Sequence, residues 1–547
     1  MSLALNPIKV VKVVDPVLDF DTNNYYAVLK GGQRTSFKPI ISTSFSDSSC
    51  TFSAPPPNPS TAVDRHVKLK VPFTLNFTGD NGVNNLLVSG YDAFRSYPLS
   101  GVMNTLQLDL NNTAFSINMS DVIQGLLRYH NPDNLNQGMC SMSPSYMDQS
   151  QSYDQLIGAI RNPLGYYGDT VAGSQMARGG FVYTSFINTP TSAQITADLT
   201  EDLYLSPLLF GTTRQECGFM GLQTFQLTVN WKSDLSRLWS HAPSSTATNF
   251  AVSVTLGQPT LLFEYKTPSP LSKIPQYKSY PYYEIQRYVT DAGAAFSAGQ
   301  SSKLSSSNIQ LNSIPRMMYI FARKRNSDLT FEDTDTFFAI EGVSINWANN
   351  SGLLSNASQQ DLYEMSSRNG CNLNWAQWSG QSTYLSVGSS ETEIVGIGSV
   401  LAVEFGTDIG LNFDEAPGKN GTYQLQMEID LKNVSADSIT PALYVVISNE
   451  GVFTLENNSA YSQIGVISSD DIVYANKQKG INYNSLKYMA GASFFKSLKK
   501  GITDAFKFTK RHIIPTVKSA IPVARDIASL ALMMGIGYEE AYDMVKR

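Results

Sequence analysis

Val67-Lys-Leu-Lys-Val-Pro-Phe-Thr-Leu-Asn-Phe77 is the stretch that decides the fold class. Every odd position is apolar (Val67, Leu69, Val71, Phe73, Leu75, Phe77), and Lys68, Lys70, Pro72, Thr74 and Asn76 fill the even ones. Side chains of an extended chain alternate between faces, so this run buries one face and wets the other. Pro72 has no N–H to give a ladder, which predicts that the strand lies at an edge or is bulged there. Outward from this run strand patterns dominate the first 480 residues, and helical stretches are few and short. The sequence predicts an all-β architecture with long decorated loops.

The pattern occurs twice. Leu106, Leu108 and Leu110 alternate with Gln107 and Asp109, Asn111-Asn112 ends the strand, and a short helix is expected from Ser120-Asp121, carrying Val122, Ile123, Leu126 and Leu127. Farther on, Val343, Ile345 and Trp347 alternate with Ser344 and Asn346, and Asn349-Asn350 follows. A helix is again expected, opened by a capping-box-like Ser358-x-x-Asp361 and carrying Leu362 and Met365. Downstream, Phe225, Leu227, Val229 and Trp231 match Leu425, Met427, Ile429 and Leu431, with Lys232 and Lys432 closing the two runs. A further strand follows each: Phe250, Val252, Val254, Leu256 in one half and Leu443, Val445, Ile447 in the other. Three features in the same order, twice, argue for duplicated β-sandwich domains, although any two β domains share alternating strands.

Pro268, Pro270 and Pro275 place the boundary near Thr267 to Ile274. Each half then suits an eight-stranded jelly roll with long loops. The expected layout is an N-terminal arm over 1–20, a first jelly roll over 21–270, a second over 271–485 and a basic helical tail over 486–547. The loop at Pro55-Pro56-Pro57 and the Ser/Gly-rich stretch from Ala292 to Ser307 read as excursions between strands.

A chain of 547 residues exceeds one ordinary core. Charged residues are only 16% and aromatics 11%, against about 25% charged in typical soluble domains. So little charge suits a β-rich protein that buries surface against partners. The net charge of −6 is unevenly spread. Gly491 to Arg525 holds eight Lys/Arg and one acid, Asp504, so this segment faces nucleic acid or an anionic membrane. Cys50, Cys140, Cys217 and Cys371 lack metal or redox spacing, and free buried thiols are expected. Met1 through Asp19 lack the apolar core of a signal peptide, and the apolar run Ile527 to Gly537 is shorter than the ~20 residues of a spanning helix. Synthesis inside the cell is expected, with the sequons at Asn76, Asn420 and Asn433 incidental. The chain has no phosphate loop, His-Glu-x-x-His, Gly-x-Ser-x-Gly or Cys-x-x-Cys, and His66, His130, His241 and His512 do not cluster in sequence. We therefore expect no enzyme, no cofactor, no metal site and no small-molecule substrate.

Ala62-Val-Asp-Arg-His-Val-Lys-Leu-Lys, Phe94-Arg-Ser-Tyr-Pro-Leu, Ile314-Pro-Arg-Met-Met-Tyr-Ile-Phe-Ala-Arg and the Trp347-to-Cys371 stretch resemble segments of double jelly-roll major capsid proteins of tailless double-stranded DNA viruses: polinton-like viruses, virophages and adenovirus-related viruses. The resemblance covers most of residues 20–480, and in it Ala62 begins the strand that opens the first jelly roll. It implies two jelly rolls side by side in each chain and a homotrimer that makes a pseudo-hexagonal capsomer of an icosahedral shell. The implied partners are neighbouring capsomers and minor capsid or penton proteins. The implied location is the virion, with synthesis in the host cytoplasm and the nucleus as a candidate place of assembly.

The tail carries a second resemblance. Met489-Ala-Gly-Ala-Ser-Phe-Phe-Lys-Ser-Leu-Lys-Lys-Gly-Ile is similar to the start of the adenovirus membrane-lytic minor capsid protein after its maturation cut. Met489, Ala490, Gly491, Ala492 and Ser493 resemble the Met-x-Gly-x site of adenovirus-type proteases, with Ser493 where that pattern prefers Gly. Read from the residues alone, Phe494, Phe495, Leu498, Ile502 and Phe506 form an apolar face. Lys496, Lys499, Lys500, Lys507, Lys510 and Arg511 lie mainly elsewhere, which is the pattern of a basic amphipathic helix. It suits a membrane, or a place on the inner capsid wall against the genome. Two rivals remain: a single jelly-roll RNA-virus capsid with a protruding β domain and membrane-active tail, and a β-sandwich attachment or lectin-like module. A glycosidase-type enzyme comes third.

Overall fold

The computed structural model describes residues 8–11, 27–30 and 34–477, except 59–60, 89–90, 133–134, 136–142, 154–181, 211–217, 244, 268–276, 388–389, 457–458 and 466. Eight strands build the first half: β1 Arg34–Ile41, β2 Ser49–Ala54, β3 Lys68–Asp80, β4 Met103–Leu110, β5 Thr113–Ile117, β6 Ser192–Asp202, β7 Phe225–Trp231, and β8 in two pieces, Thr248–Leu256 and Thr260–Thr267. They form two facing sheets, ordered β1-β8-β3-β6 and β2-β7-β4-β5. Short extra strands, among them Val182–Asn188 beside β6, extend the edges.

The second half repeats this plan. Its strands are β9 Tyr277–Asp291, β10 in two pieces (Ser301–Ser305 and Ile309–Ser313), β11 Met317–Lys324, β12 Ala339–Trp347, β13 Asn350–Leu353, β14 Leu401–Glu404, β15 Asn420–Lys432 and β16 Pro441–Glu456. Their order is β9-β16-β11-β14 and β10-β15-β12-β13, the first half's order with every number raised by eight. Each half is an eight-stranded jelly roll, and among the described strands no ladder joins one half to the other. The second half is therefore not a protruding β domain of another kind, which removes the single jelly-roll rival.

The register repeats as well as the order. Leu106, Leu108 and Leu110 pair with Val229, Leu227 and Phe225. Val343, Ile345 and Trp347 pair with Ile429, Met427 and Leu425. All twelve side chains are at most 4% exposed, so a one-residue slip in either sheet would turn a buried row outward. Helices follow the hairpins as the spacing predicts: α1 Met119–Leu126, and α2 Gln359–Arg368, whose Ser358 and Asp361 form both bonds of a capping box.

Pro72 sits at a bulge and not at an edge. Strand β3 is paired on both sides, with β6 on one and β8 on the other. Opposite Pro72 the β8 ladder breaks at Gly257, whose N–H donates to the Pro72 carbonyl at 2.7 Å. A Cβ at Gly257 would lie 3.1 Å from the proline ring, so the missing donor and the missing side chain meet at one point.

Two expectations are corrected. Ala62 does not open the first jelly roll: β1 and β2 precede it, and β1 shows no period-two signal because Phe37 and Ile41 are exposed and only Ile40 is buried. The stretch Ala292–Ser307 is not wholly loop, since Ser301–Ser305 pairs with β15; an edge strand that is wet on one face needs few apolar residues. Asn349-Asn350 does follow the second strand, with the hairpin turning at Ala348-Asn349 and Asn350 pairing with Trp347.

The first hairpin turn shows what its asparagines do. Asn111 and Asn112 both have positive φ (48° and 66°), as a two-residue turn between twisted strands demands. Asn111 is buried; its Oδ1 accepts from the Gln223 and Thr224 amides at 2.7 and 3.0 Å, and its Nδ2 donates to the Gly221 carbonyl at 3.0 Å. Asn111→Ala should destabilise the chain by about 2–4 kcal/mol, and Asn111→Gly by less because only the bonds are lost. Thermal unfolding of the two variants checks the order.

Candidate functional site: the seam between the jelly rolls

The tail residues singled out from sequence, Met489 through Ser493 and Phe494 through Arg511, lie outside the described residues. So do His512, Cys140 and Cys217. His66, His130 and His241 are each paired locally, with Asp64, Tyr204 and Asp92. Cys50 is a buried free thiol, and Cys371 is a half-buried one. Among the described residues no group of three or more His, Cys, Asp or Glu could hold a metal ion. The described chemistry is concentrated instead where the two jelly rolls meet.

Helix α1 belongs to the first jelly roll and packs on β11 of the second. A Cβ at Gly125 would lie 2.6 Å from the Phe321 ring, so glycine sets how closely helix and sheet approach. Beside it, Asp121 forms an ion pair with Arg287, Nε to Oδ2 at 2.6 Å, and accepts a hydrogen bond from Asn326. Arg323 donates to the Ser120 carbonyl at 2.8 Å and lies over the Tyr444 ring. Farther along, Tyr129 Oη donates to the Val400 carbonyl at 2.6 Å, and the Asn372 N–H donates to the Arg128 carbonyl at 2.9 Å.

A second contact is ionic and dry. Arg95 and Arg237, from two loops of the first jelly roll, converge on Asp335 in the β11–β12 loop of the second. The distances are 3.4 Å from Arg95 Nη1 and 2.8 Å from Arg237 Nη2, and all three side chains are at most 8% exposed. Arg95 also donates to Tyr153 Oη at 3.0 Å and to the Asp333 carbonyl at 2.8 Å. Asp148 closes the cluster, accepting from Tyr153 Oη and from the Asp335 N–H at 2.9 and 3.0 Å. Buried charges persist only when paired and hydrogen-bonded, and here the partners come from both halves. Alongside, the His241 ring stacks on Phe250 at 3.8 Å, and the His241 backbone N–H donates to the Phe331 carbonyl.

The other end of the seam is aromatic. Phe115 meets Tyr282 and Phe453 edge-on at 5.0 and 5.3 Å, Phe219 meets Tyr280 and Phe453, and Arg65 lies over Phe219 and Tyr280. Sequence reasoning missed the ionic cluster, because Arg95 and Asp335 are single charges 240 positions apart.

Asp335→Ala leaves Arg237 buried without its carboxylate and Arg95 with only Asp148, 3.8 Å away, and should cost about 3–5 kcal/mol, read as a drop in melting temperature. His130 supplies a pH dependence. Burial pushes its imidazole down to about 4, so between about 6.5 and 4 the unfolded chain takes up a proton that the folded chain refuses. Stability is therefore full above this window and lost as pH falls through it. Melting curves across that range should show a shallower loss for His130→Gln than for the parent chain.

Comparison with known proteins identifies the architecture. A family model for the Sputnik virophage major capsid protein first domain matches residues 7–267, and one for the major capsid protein V20 C-terminal domain matches residues 285–451. The putative capsid protein V20 of Sputnik virophage is 32% identical, over 99% of this chain and 95% of that protein. A chain of the 3.5 Å cryo-EM structure of the Sputnik virophage superposes with a TM-score of 0.78 at 33% identity, covering 90% of this chain and 100% of that one. The crystal structure of the mavirus major capsid protein shares the fold, with a TM-score of 0.69 at 16% identity over 87% of this chain and 100% of that one. With both halves matched in order and a relative at 32% identity over nearly its whole length, this chain belongs to the Sputnik virophage major capsid protein family.

Proposed function

We propose that the chain is the major capsid protein of a virus shell, working as a homotrimeric capsomer and without catalysis, cofactor or small-molecule substrate. The observation that carries this reading is the pair of jelly rolls with the same strand order and register, fixed to each other by buried charge. A trimer of such chains has six similar wedges, which lets a threefold assembly occupy a sixfold position in a hexagonal lattice. Exposed apolar side chains support subunit contact: Phe37 and Ile41 on β1 at one edge of a sheet, and Tyr183, Phe186 and Ile187 on the Val182–Asn188 strand at the other. On this reading the division at 270/271 separates two wedges, and neighbouring capsomers with minor capsid or penton proteins complete the shell. The virion is the working location, with the chain made in the host cytoplasm and the nucleus a candidate place of assembly.

The tail, 486–547, faces the interior and meets the genome or a membrane. Its apolar residues Phe494, Phe495, Leu498, Ile502 and Phe506 favour the membrane, because a bilayer rewards an apolar face and nucleic acid does not. Its near-surface lysines add on the order of 1 kcal/mol each at an anionic bilayer. Cleavage near Ala492 would release it.

Light scattering of the purified protein should return three chains of 60.0 kDa, and negative-stain images hexagonal plates roughly 70–100 Å across; a stable monomer at micromolar concentration would overturn the capsomer reading. A synthetic 491–525 peptide should become helical on anionic liposomes and make them leak, and Ile502→Asp should abolish both effects. A peptide that ignores liposomes yet binds DNA with a steep salt dependence would assign the tail to the genome instead.

A further inference from the structure

Ser120, Gln124 and Arg128 stand at four-residue steps along α1 and the turn Leu127–Tyr129 that continues it, so they share one face. All three are buried, at 3, 3 and 2% exposure. Yet Ser120 Oγ, both amide atoms of Gln124, and Nε and Nη2 of Arg128 have no hydrogen-bond partner among the described residues. Arg323, held against this face by its bond to the Ser120 carbonyl, leaves its Nε unpartnered too. Buried polar atoms in native proteins are nearly always paired, so five such atoms along one helix face and a sixth opposite them indicate a bound species.

The field at this face selects an anion. Asp335 is already engaged, one oxygen by Arg95 and the other by Arg237, and Asp148 accepts from Tyr153 and the Asp335 amide. Asp148 and Asp335 attract Arg128 through space, but among the described residues no carboxylate lies within salt-bridge distance of it, and burial still holds its guanidinium below its ordinary range. Lys232 faces Arg323 and Arg237, and burial with these two cations outweighs Asp121 and Asp335 and pushes its ammonium down to about 7. Cations thus exceed the acids placed to neutralise them.

We propose that Arg128, with Gln124 beside it, holds a hydrogen phosphate ion in the seam between the jelly rolls. Nε and Nη2 lie on one edge of the guanidinium and donate in parallel, a fork that matches two oxygens of a tetrahedral oxyanion. Gln124 Nε2 supplies a third donor. Its Oε1 is an acceptor with nothing to accept, and the P–OH of hydrogen phosphate meets it where fully ionised sulfate cannot. The ion would put negative charge in direct contact with Arg128, whose nearest carboxylates, Asp148 and Asp335, are shared with Arg95 and Arg237.

The test uses the purified full-length chain in a phosphate series at fixed ionic strength. The melting temperature of the parent chain should rise with phosphate and saturate, more strongly than with sulfate, and equilibrium dialysis should find one phosphate bound per chain by a site that Arg128→Met removes. In phosphate-free buffer Arg128→Met should melt no lower than the parent, because it deletes an unpaired buried cation. Absence of saturable stabilisation, which would mean that water fills the seam, overturns the proposal, as does an equal phosphate effect in Arg128→Met. If that variant fails to fold, Gln124→Leu decides: affinity weaker by about tenfold supports the site, and unchanged affinity overturns it.

Discussion

A charge taken out of water must find its opposite, and in this chain that requirement joins the two halves. Arg95 and Arg237 are buried by the first jelly roll, but the carboxylate between them, Asp335, belongs to the second. Asp148 of the first half, 3.8 Å from Arg95, balances one of the two guanidinium groups, and the second is balanced only when Asp335 of the other half arrives. The arrangement is also directional. A guanidinium fork and a carboxylate must match in plane and distance, whereas apolar surfaces tolerate sliding. The aromatic contacts of Phe115, Phe219, Tyr280 and Phe453 add area at the far end of the seam, while the ionic cluster joins the halves through directional bonds.

That joint gives the duplication its structural meaning. Two copies of one sandwich on a flexible linker would be two domains, but joined by buried charge they share one continuous core. Glycine contributes by absence: Gly125 lets α1 approach β11 until Phe321 fills the place of a Cβ. The hydrophobic core runs through both halves without a break, as expected when the surface between them was never meant for water. Remaining apolar exposure falls largely at sheet edges, on β1 and on Val182–Asn188, where a neighbouring molecule can cover it.

How much was legible depended on the range of the interaction. Period-two alternation in Val67–Phe77, and the Leu106 and Val343 runs, are local consequences of one wet and one dry face, and all became strands with the expected rows buried. The capping box at Ser358 and Asp361 is readable because both bonds lie within four residues. Strands wet on most positions escaped notice: β1 exposes Phe37 and Ile41, and Ser301–Ser305 is serine-rich at an edge. Pro72 was readable as a disturbance but not as a particular one, since its partner Gly257 is brought opposite only by the sheet.

The sequence by itself determined an all-β chain, two repeats of one strand pattern with matching registers, and a basic segment after them, because periodicity and composition are properties of neighbouring residues. Only the tertiary structure decided which strands pair across long loops, that both halves close in the same order, and that Arg95, Arg237 and Asp335 meet. Those outcomes rest on desolvated charges and ladder bonds between residues up to 240 positions apart, whose energies exist only once the chain has brought them together.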